Sequence, residues 1–333
     1  MGRLVGSQAG RVRRDLAAHE KERAAEQTAA AFTPGSAIVG WCDGGDWAAC
    51  FGLSLHNMFM QDFCSPAPRI MRDPEKRYYL RDLAGTMGVA SARNHIATAF
   101  LDETDAEWLF MVDSDMGFEA DIVDRLIASA QAGGFEVMGA LAFALKRRLL
   151  NPNPLNVELT RLCPTIYQVA ELENEAGFAP MFDYPRDTVL PVGGTGAACV
   201  VIHRGVLARI RFMYGDRWFE QTTHPTGDHG KPRTFSEDLS FCLRAQAVGA
   251  KIGVDTSVKT GHAKGGIFLT EEQYVIQRAV DEGLKVAEAE VKAQAWRDGN
   301  PAAGMVEADE ARATFGYEVQ PRQNGKSSGV VTR

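Results

Sequence analysis

No apolar run in this 333-residue chain approaches the ~20 residues needed to cross a bilayer. The first residues are charged and carry no apolar signal core, so a cytoplasmic location is expected. Cys-x-x-Cys pairs are absent. The six cysteines (Cys42, Cys50, Cys64, Cys163, Cys199, Cys242) are scattered, several in apolar segments, and read as reduced, mostly buried thiols. A basic excess is also missing. Lys+Arg 36 against Asp+Glu 43 leaves a net charge of −7, which makes the chain a poor general binder of nucleic acid, although local basic clusters still suit a nucleotide. There is no internal repeat and no Walker loop, because Gly193-Gly194-Thr195-Gly196 is not followed by Lys and Ser/Thr at the required spacing.

What the chain does have is an apolar content of 45%, enough for a sizeable core in one large domain or two small ones. It also has one stretch around which the rest is organised, Trp108-Leu109-Phe110-Met111-Val112-Asp113-Ser114-Asp115-Met116-Gly117-Phe118. A buried strand that ends in an Asp-x-Asp pair places two carboxylates where open α/β sheets bind ligands. Such close carboxylates repel unless a cation lies between them or separate partners divide them, and a hard divalent ion shared with a phosphate is the simplest such partner.

The first half alternates strand and helix. Strands are predicted at 36–41, from 69–71, into Asp113 and over 135–144, the last closed by Lys146-Arg147-Arg148. Helices are predicted over 47–63 (Phe51, Leu55, Met58, Phe59 and Phe63 at helical spacing), 89–101 and 120–132, the last stopped by Gly133-Gly134. This pattern argues for a parallel, doubly wound sheet. After Asn151-Pro152-Asn153-Pro154 the pattern changes. Strands at 165–172 and 181–184 suggest a mixed or antiparallel region, followed by strands at 189–192, 197–202 and 251–258. A short helix is predicted over 206–212. A second, opened by Ser236 as N-cap with Glu237 and Asp238 in its first turn, runs to Ala247. A long helix follows Thr270.

Ser91-Ala92-Arg93-Asn94 followed by Asp113-Ser114-Asp115, then the helix start Ser236-Glu237-Asp238-Leu239-Ser240-Phe241-Cys242-Leu243-Arg244-Ala245, then Gly261-His262, resembles in order the motifs of GT-A fold glycosyltransferases. The pattern resembles a bacterial and bacteriophage group that is similar to family 2. The resemblance covers roughly residues 36–265. It implies a Rossmann-like three-layer α/β/α sandwich with a mostly parallel central sheet and a smaller mixed or antiparallel acceptor-side region. The domain would occupy 34–268, flanked by a helical extension at 1–33, a helix at 269–298 and a flexible tail at 299–333. The implied activity is metal-dependent transfer of a sugar from a nucleotide-diphosphate sugar to an acceptor hydroxyl, with Mn²⁺ or Mg²⁺ as cofactor and a UDP-sugar ahead of a GDP-sugar as donor.

By the same resemblance Asp115 ligates the metal, Asp113 contacts ribose or metal, and His262 completes the metal site. Asp238 is the general base of an inverting displacement and Glu237 its runner-up. Arg93, Ser114, Gly194, Thr195 and Gly196 line the donor site. The first loop lacks the proline and the asparagine–glutamate pair common in family 2, which leaves Asp43 as the one side chain there to contact the base. Trp218 and Phe219 are candidates for an apolar acceptor platform. His224, Asp228 and His229 sit in a loop over the site that could offer a second metal site. The acceptor is a protein, a virion protein by analogy, or a glycan, in the host cytoplasm if the chain is viral; no nucleic-acid partner is expected, and a homo-oligomer is left open. Three other readings stay open: a retaining glycosyltransferase, a nucleotidyltransferase, and a non-catalytic nucleotide-sugar binding protein. Each motif also has a structural reading, as strand end, helix cap or tight turn.

Overall fold

The computed structural model describes residues 32–84, 87–149, 158–172, 175–224 and 233–283. They divide between two compact units, one drawn from 1–144 and 163–271 and the other from 145–162 and 272–333. The helical extension predicted at 1–33, the tail from 299 and the loop with Asp228 and His229 lie outside the described residues, apart from Phe32 and Thr33.

The first unit is built on a seven-stranded sheet. Its strands are β1 (Thr33–Asp43), β2 (Tyr79–Leu83), β3 (Ala106–Val112), β4 (Val137–Leu141), β5 (Val189–Pro191), β6 (Cys199–His203) and β7 (Ile252–Lys259). Their order is β5-β7-β4-β6-β3-β1-β2. Strands β1, β2 and β3 are mutually parallel, as are β4 and β7, while β6 runs antiparallel between β3 and β4 and β5 is an antiparallel edge. The sheet is therefore mixed but mostly parallel, and together with its helices makes a Rossmann-like α/β fold.

Successive side chains of a strand face opposite sides, and that period-2 rule divides the core in two. Ile38, Leu109 and Met111 join one apolar cluster with Ala92, Ile96 and Phe100 of α2 (Gly88–Glu103), Val206 and Leu207 of α4 (Arg204–Tyr214), and Phe241 of α5 (Glu237–Ala247). Val39, Phe110 and Val112 join the other with Phe51, Leu55 and Met58 of α1 (Ala49–Phe63) and Leu126 and Ile127 of α3 (Ile122–Gly133). Each such side chain, fully buried, contributes roughly 1.5–3 kcal/mol. The stop at Gly133-Gly134 forms as predicted: Gly134 takes φ 65°, a left-handed position that suits glycine, and its N–H closes back on the end of α3.

Several predicted elements are corrected. Residues 69–71 are not a strand: the Asp62 carboxylate accepts from the backbone N–H groups of Arg69, Ile70 and Met71 and bends them around the end of α1. Phe63, counted on the apolar face of α1, is exposed. The run 135–144 is two strands, because the chain leaves the central sheet at Ala142, whose carbonyl accepts from the N–H and hydroxyl of Thr165. The second of them, Phe143–Leu149, carries Lys146, Arg147 and Arg148 inside it. The strand expected at 181–184 lies earlier, at Glu175–Pro180, antiparallel to Ile166–Leu172.

In the second unit Leu162 exchanges backbone hydrogen bonds with the side-chain amide of Gln277, within helical residues 271–283. Among the described residues no helix is long and apolar enough to cross a membrane.

Candidate functional site

The antiparallel insertion of β6 determines where the motifs meet. β3 ends at Val112 opposite Cys199, the first residue of β6, so the approach to β6 and the exit of β3 share one edge. There the Asp113 N–H donates to the Ala198 carbonyl at 2.9 Å, and the Ala48 N–H donates to the Ser114 carbonyl at 2.9 Å. The backbone of Asp113-Ser114 is thus pinned from both sides, outside the carboxyl ends of parallel strands and beside a reversal of strand direction, where α/β sheets hold ligands.

Arg93 organises one half of the site. It lies on α2 with its side chain only 3% exposed. Its Nη2 donates to Asp113 Oδ1 at 2.7 Å, and its Nη1 donates to Asp238 Oδ1 at 2.5 Å and to Glu237 Oε1 at 3.1 Å. The guanidinium carbon stands 5.8 Å from the Phe219 ring, which stacks on Phe241 at 4.8 Å. Asn94 completes the clamp by accepting from the Phe219 N–H at 2.8 Å. One buried cation thus holds together three carboxylates from two distant parts of the sequence. Arg93 was expected to line the donor site; the structure pairs both of its terminal nitrogens with protein carboxylates.

Glu237 and Asp238 occupy the first turn of α5, where the helix dipole favours negative charge. Ser236 sits at the N-cap position, but its side chain makes no capping bond. Burial pushes the Asp238 carboxyl up, Arg93 pulls against it, and Glu237 and Asp113 add like-charge repulsion; the balance lies at about 6. A carboxyl placed there is mostly ionised at neutral pH yet more basic than an ordinary aspartate.

Asp115 belongs to a different set. Gly261–Lys264 pairs with Met116–Gly117 in a small three-stranded sheet, with His262 opposite Met116, and the Ala263 N–H donates to the Asp115 carbonyl at 2.8 Å. That register carries His262 Nε2 to 3.2 Å from Asp115 Oδ1, and Lys264 Nζ to 2.5 Å from Asp115 Oδ2. His262 Nδ1 lies 2.9 Å from the Phe143 carbonyl, which can only accept. Nδ1 therefore donates to it, which fixes the ring with Nε2 facing Asp115. Burial raises the Asp115 carboxyl, but the neighbouring His262 and Lys264 outweigh it and bring it down to about 2.

Asp115 Oδ1 and His262 Nε2 are both buried, and neither makes a hydrogen bond. A carboxylate oxygen and an imidazole nitrogen 3.2 Å apart are spaced as two adjacent ligands of one ion with bonds of ~2.1 Å would be. The pair fits a divalent cation in an open site. It is not a closed cage: among the described residues no three His, Cys, Asp or Glu side chains converge on one point. Asp113, expected as a third ligand, gives its Oδ1 to Arg93.

The remaining predicted residues are distributed as follows. Asp43 stands at the end of β1, but its side chain is 0% exposed and forms a bidentate pair with Arg81, at 2.7 and 2.9 Å, with further bonds from Trp41 Nε1 and the Gly45 N–H. It is held away from any base, whereas Arg81, 5.3 Å over the exposed ring of Trp47, faces outward. The glycines of 193–196 give room to protein. A Cβ on Gly193 would meet the Val169 backbone nitrogen at 2.5 Å, one on Gly194 would meet Phe178 and Leu239, and one on Gly196 would meet Thr165. Thr195 is buried and exchanges contacts with Cys242. The expectation that these residues line an open donor pocket is corrected accordingly.

Trp218 and Phe219 are each 0% exposed, so they are core and not an acceptor platform; Trp218 Nε1 donates to the Leu207 carbonyl at 2.8 Å. His224 pairs by backbone with Arg233. The sequence reading missed Lys264 and Arg81. Lys264 was findable, since it follows His262 by two in a strand and therefore shares its face.

No protein-family model matches the chain, and no curated protein does. Among solved structures, the crystal structure of A197 from STIV is similar at 14% identity and a TM-score of 0.40, over 71% of this chain and 91% of that one. A likeness at that level carries no argument about function.

Proposed function

We propose that the chain is a glycosyltransferase of the GT-A type that binds a nucleotide-diphosphate sugar with a divalent ion, Mn²⁺ or Mg²⁺, and transfers the sugar with inversion to an acceptor hydroxyl on a protein or glycan. The observation that carries this reading is the convergence of Asp115 and His262, two buried and hydrogen-bond-free donors, beside a clamp that holds Asp238 with a carboxyl near 6. The strand order, with one antiparallel strand next to β3, supports the three-layer GT-A arrangement.

In this reading Asp115 and His262 hold the ion, whose chemistry when bound is Lewis-acid stabilisation of the departing diphosphate. The acceptor oxygen attacks the anomeric carbon and its proton passes to the Asp238 carboxylate. The bond from that carbon to the phosphate oxygen breaks, and its electron pair leaves with the nucleoside diphosphate. Arg93 keeps Asp238 and Glu237 in register with Asp113. The nucleobase falls to the outward-facing Trp47 and Arg81 surface, which Asp43 steadies from beneath.

Calorimetric titration of the purified chain with UDP and with GDP, each with Mn²⁺ or with EDTA, tests the reading. One nucleotide should bind only when metal is present, and Asp115→Ala and His262→Ala should each abolish that binding. Binding indifferent to metal and to both substitutions would leave Asp113 and Asp115 as a strand end whose charges are satisfied by Arg93 and Lys264.

A further inference from the structure

The two oxygens of Asp115 have different surroundings. Oδ1 is buried against His262 without a hydrogen bond, while Oδ2 is taken by the Lys264 ammonium at 2.5 Å. His262 and Lys264 lie two residues apart on one short strand and so reach the same carboxylate from the same face. They reach it differently. The His262 ring is buried and tied to the Phe143 carbonyl, whereas the Lys264 side chain is 48% exposed and, among the described residues, pairs with no second acidic group. Beyond Lys264 the strand turns through Gly265 and Gly266, both at positive φ (57° and 82°). The Phe268 ring on the return strand packs where a Cβ of Gly261 or of Gly117 would be.

We propose that Lys264 is a resident counter-cation for Asp115: it neutralises that carboxylate in the free protein, leaves it when a divalent ion is bound, and then pairs with the diphosphate of the nucleotide. The inference rests on the metal-and-nucleotide reading given above and adds a substrate-contacting residue to it. An ammonium and a dication compete for one carboxylate, and of the two only the ammonium is carried on a flexible, solvated four-carbon stem. A diphosphate sharing the ion brings new negative charge within reach of that stem. Lys264 therefore opposes binding of the ion alone and favours binding of ion and nucleotide together.

That change of sign makes the proposal testable. Mn²⁺ alone is titrated into wild type and Lys264→Ala, with free Mn²⁺ followed by electron paramagnetic resonance. The titration is repeated calorimetrically with UDP and GDP at saturating Mn²⁺. Lys264→Ala should bind Mn²⁺ alone roughly threefold to fivefold more tightly, the loss of one competing exposed ion pair, and should bind the nucleotide with Mn²⁺ more weakly by at least that factor. Lys264→Arg, which keeps the charge, should stay within about twofold of wild type in both titrations. If the two affinities of Lys264→Ala move in the same direction, or neither moves while wild type binds, this inference is wrong and the metal reading stands. If wild type shows no metal-dependent nucleotide binding, both fail together.

Discussion

Replacing Arg93 by methionine removes the one cation that holds Asp113, Glu237 and Asp238 together while nearly keeping the side-chain volume. The three hydrogen bonds at 2.5, 2.7 and 3.1 Å go with it, and three carboxylates are left around one uncompensated position beside the Phe219 ring. Breaking a buried ion pair by removing one partner costs about 3–5 kcal/mol. Each of these carboxylates keeps about a quarter of its exposure, so water takes up part of the charge and the expected loss lies at the low end, about 3 kcal/mol. For a body of this size that corresponds to roughly 6–12 °C in Tm.

The loss should depend on pH with a definite sign. Asp238 in the folded chain titrates near 6, above the ordinary aspartate value. Between about pH 4 and 6 the folded state therefore holds a proton that the unfolded state has released, and stability falls as pH rises through that window. Arg93 is the group that lowers this carboxyl. Without it the folded value moves higher and the fall extends to higher pH. Urea unfolding of wild type and Arg93→Met at pH 5 and pH 8 should show a deficit that is larger at pH 8. Arg93→Lys, which keeps a charge but loses the fork, should fall between them. A deficit under 1 kcal/mol, or one equal at both pH values, would refute the three-carboxylate clamp.

Two further substitutions test the rest of the site. Asp238→Asn should retain metal-dependent nucleotide binding and lose transfer by ~10²–10⁴; the wild-type rate should decline below a pH near 6, where the base becomes protonated, and a profile flat from pH 5 to 8 would exclude Asp238 as base. Gly193→Ala should destabilise the fold by about 2–3 kcal/mol, because its Cβ meets the Val169 backbone nitrogen at 2.5 Å and no side chain can swing aside; weakened donor binding with unchanged stability would restore these glycines to a ligand pocket.

The sheet was readable where hydrophobic period and burial agree. Residues 108–112 are one apolar run, and they form a strand buried on both faces. The direction of β6 could not be read, since an apolar pentapeptide looks the same running either way; only its pairing with Val112 and Gly139 reveals it. Adjacent aromatics gave no sign of depth, so Trp218-Phe219 suited a platform as well as a core until the Leu207 carbonyl was found to take the indole N–H. Asp43 failed for a related reason. A carboxylate in a Gly-rich loop suggests an exposed ligand contact, and nothing local foretells that Arg81, 38 residues on, will bind it from the adjacent strand.

The Asp-x-Asp pair itself presents the problem its sequence posed, two like charges one residue apart, and the fold resolves it asymmetrically. Asp113 is given to a guanidinium that is buried, triply bonded and stacked over an aromatic ring. Asp115 is given to an ammonium that is half exposed and bonded once, and to an imidazole whose free nitrogen makes no hydrogen bond. A cation of the first kind cannot be exchanged without dismantling the neighbouring helix start at Glu237 and Asp238; one of the second kind can be displaced by moving a single side chain. The backbone between them is pinned at Asp113 and Ser114, so an exchange at Asp115 need not disturb Asp113. The position open to chemistry is therefore the second aspartate and not the first, and substitutions should divide the same way. Asp113→Asn belongs with Arg93→Met as a loss of stability, and Asp115→Asn belongs with His262→Ala as a loss of ligand binding in a fold that otherwise stands.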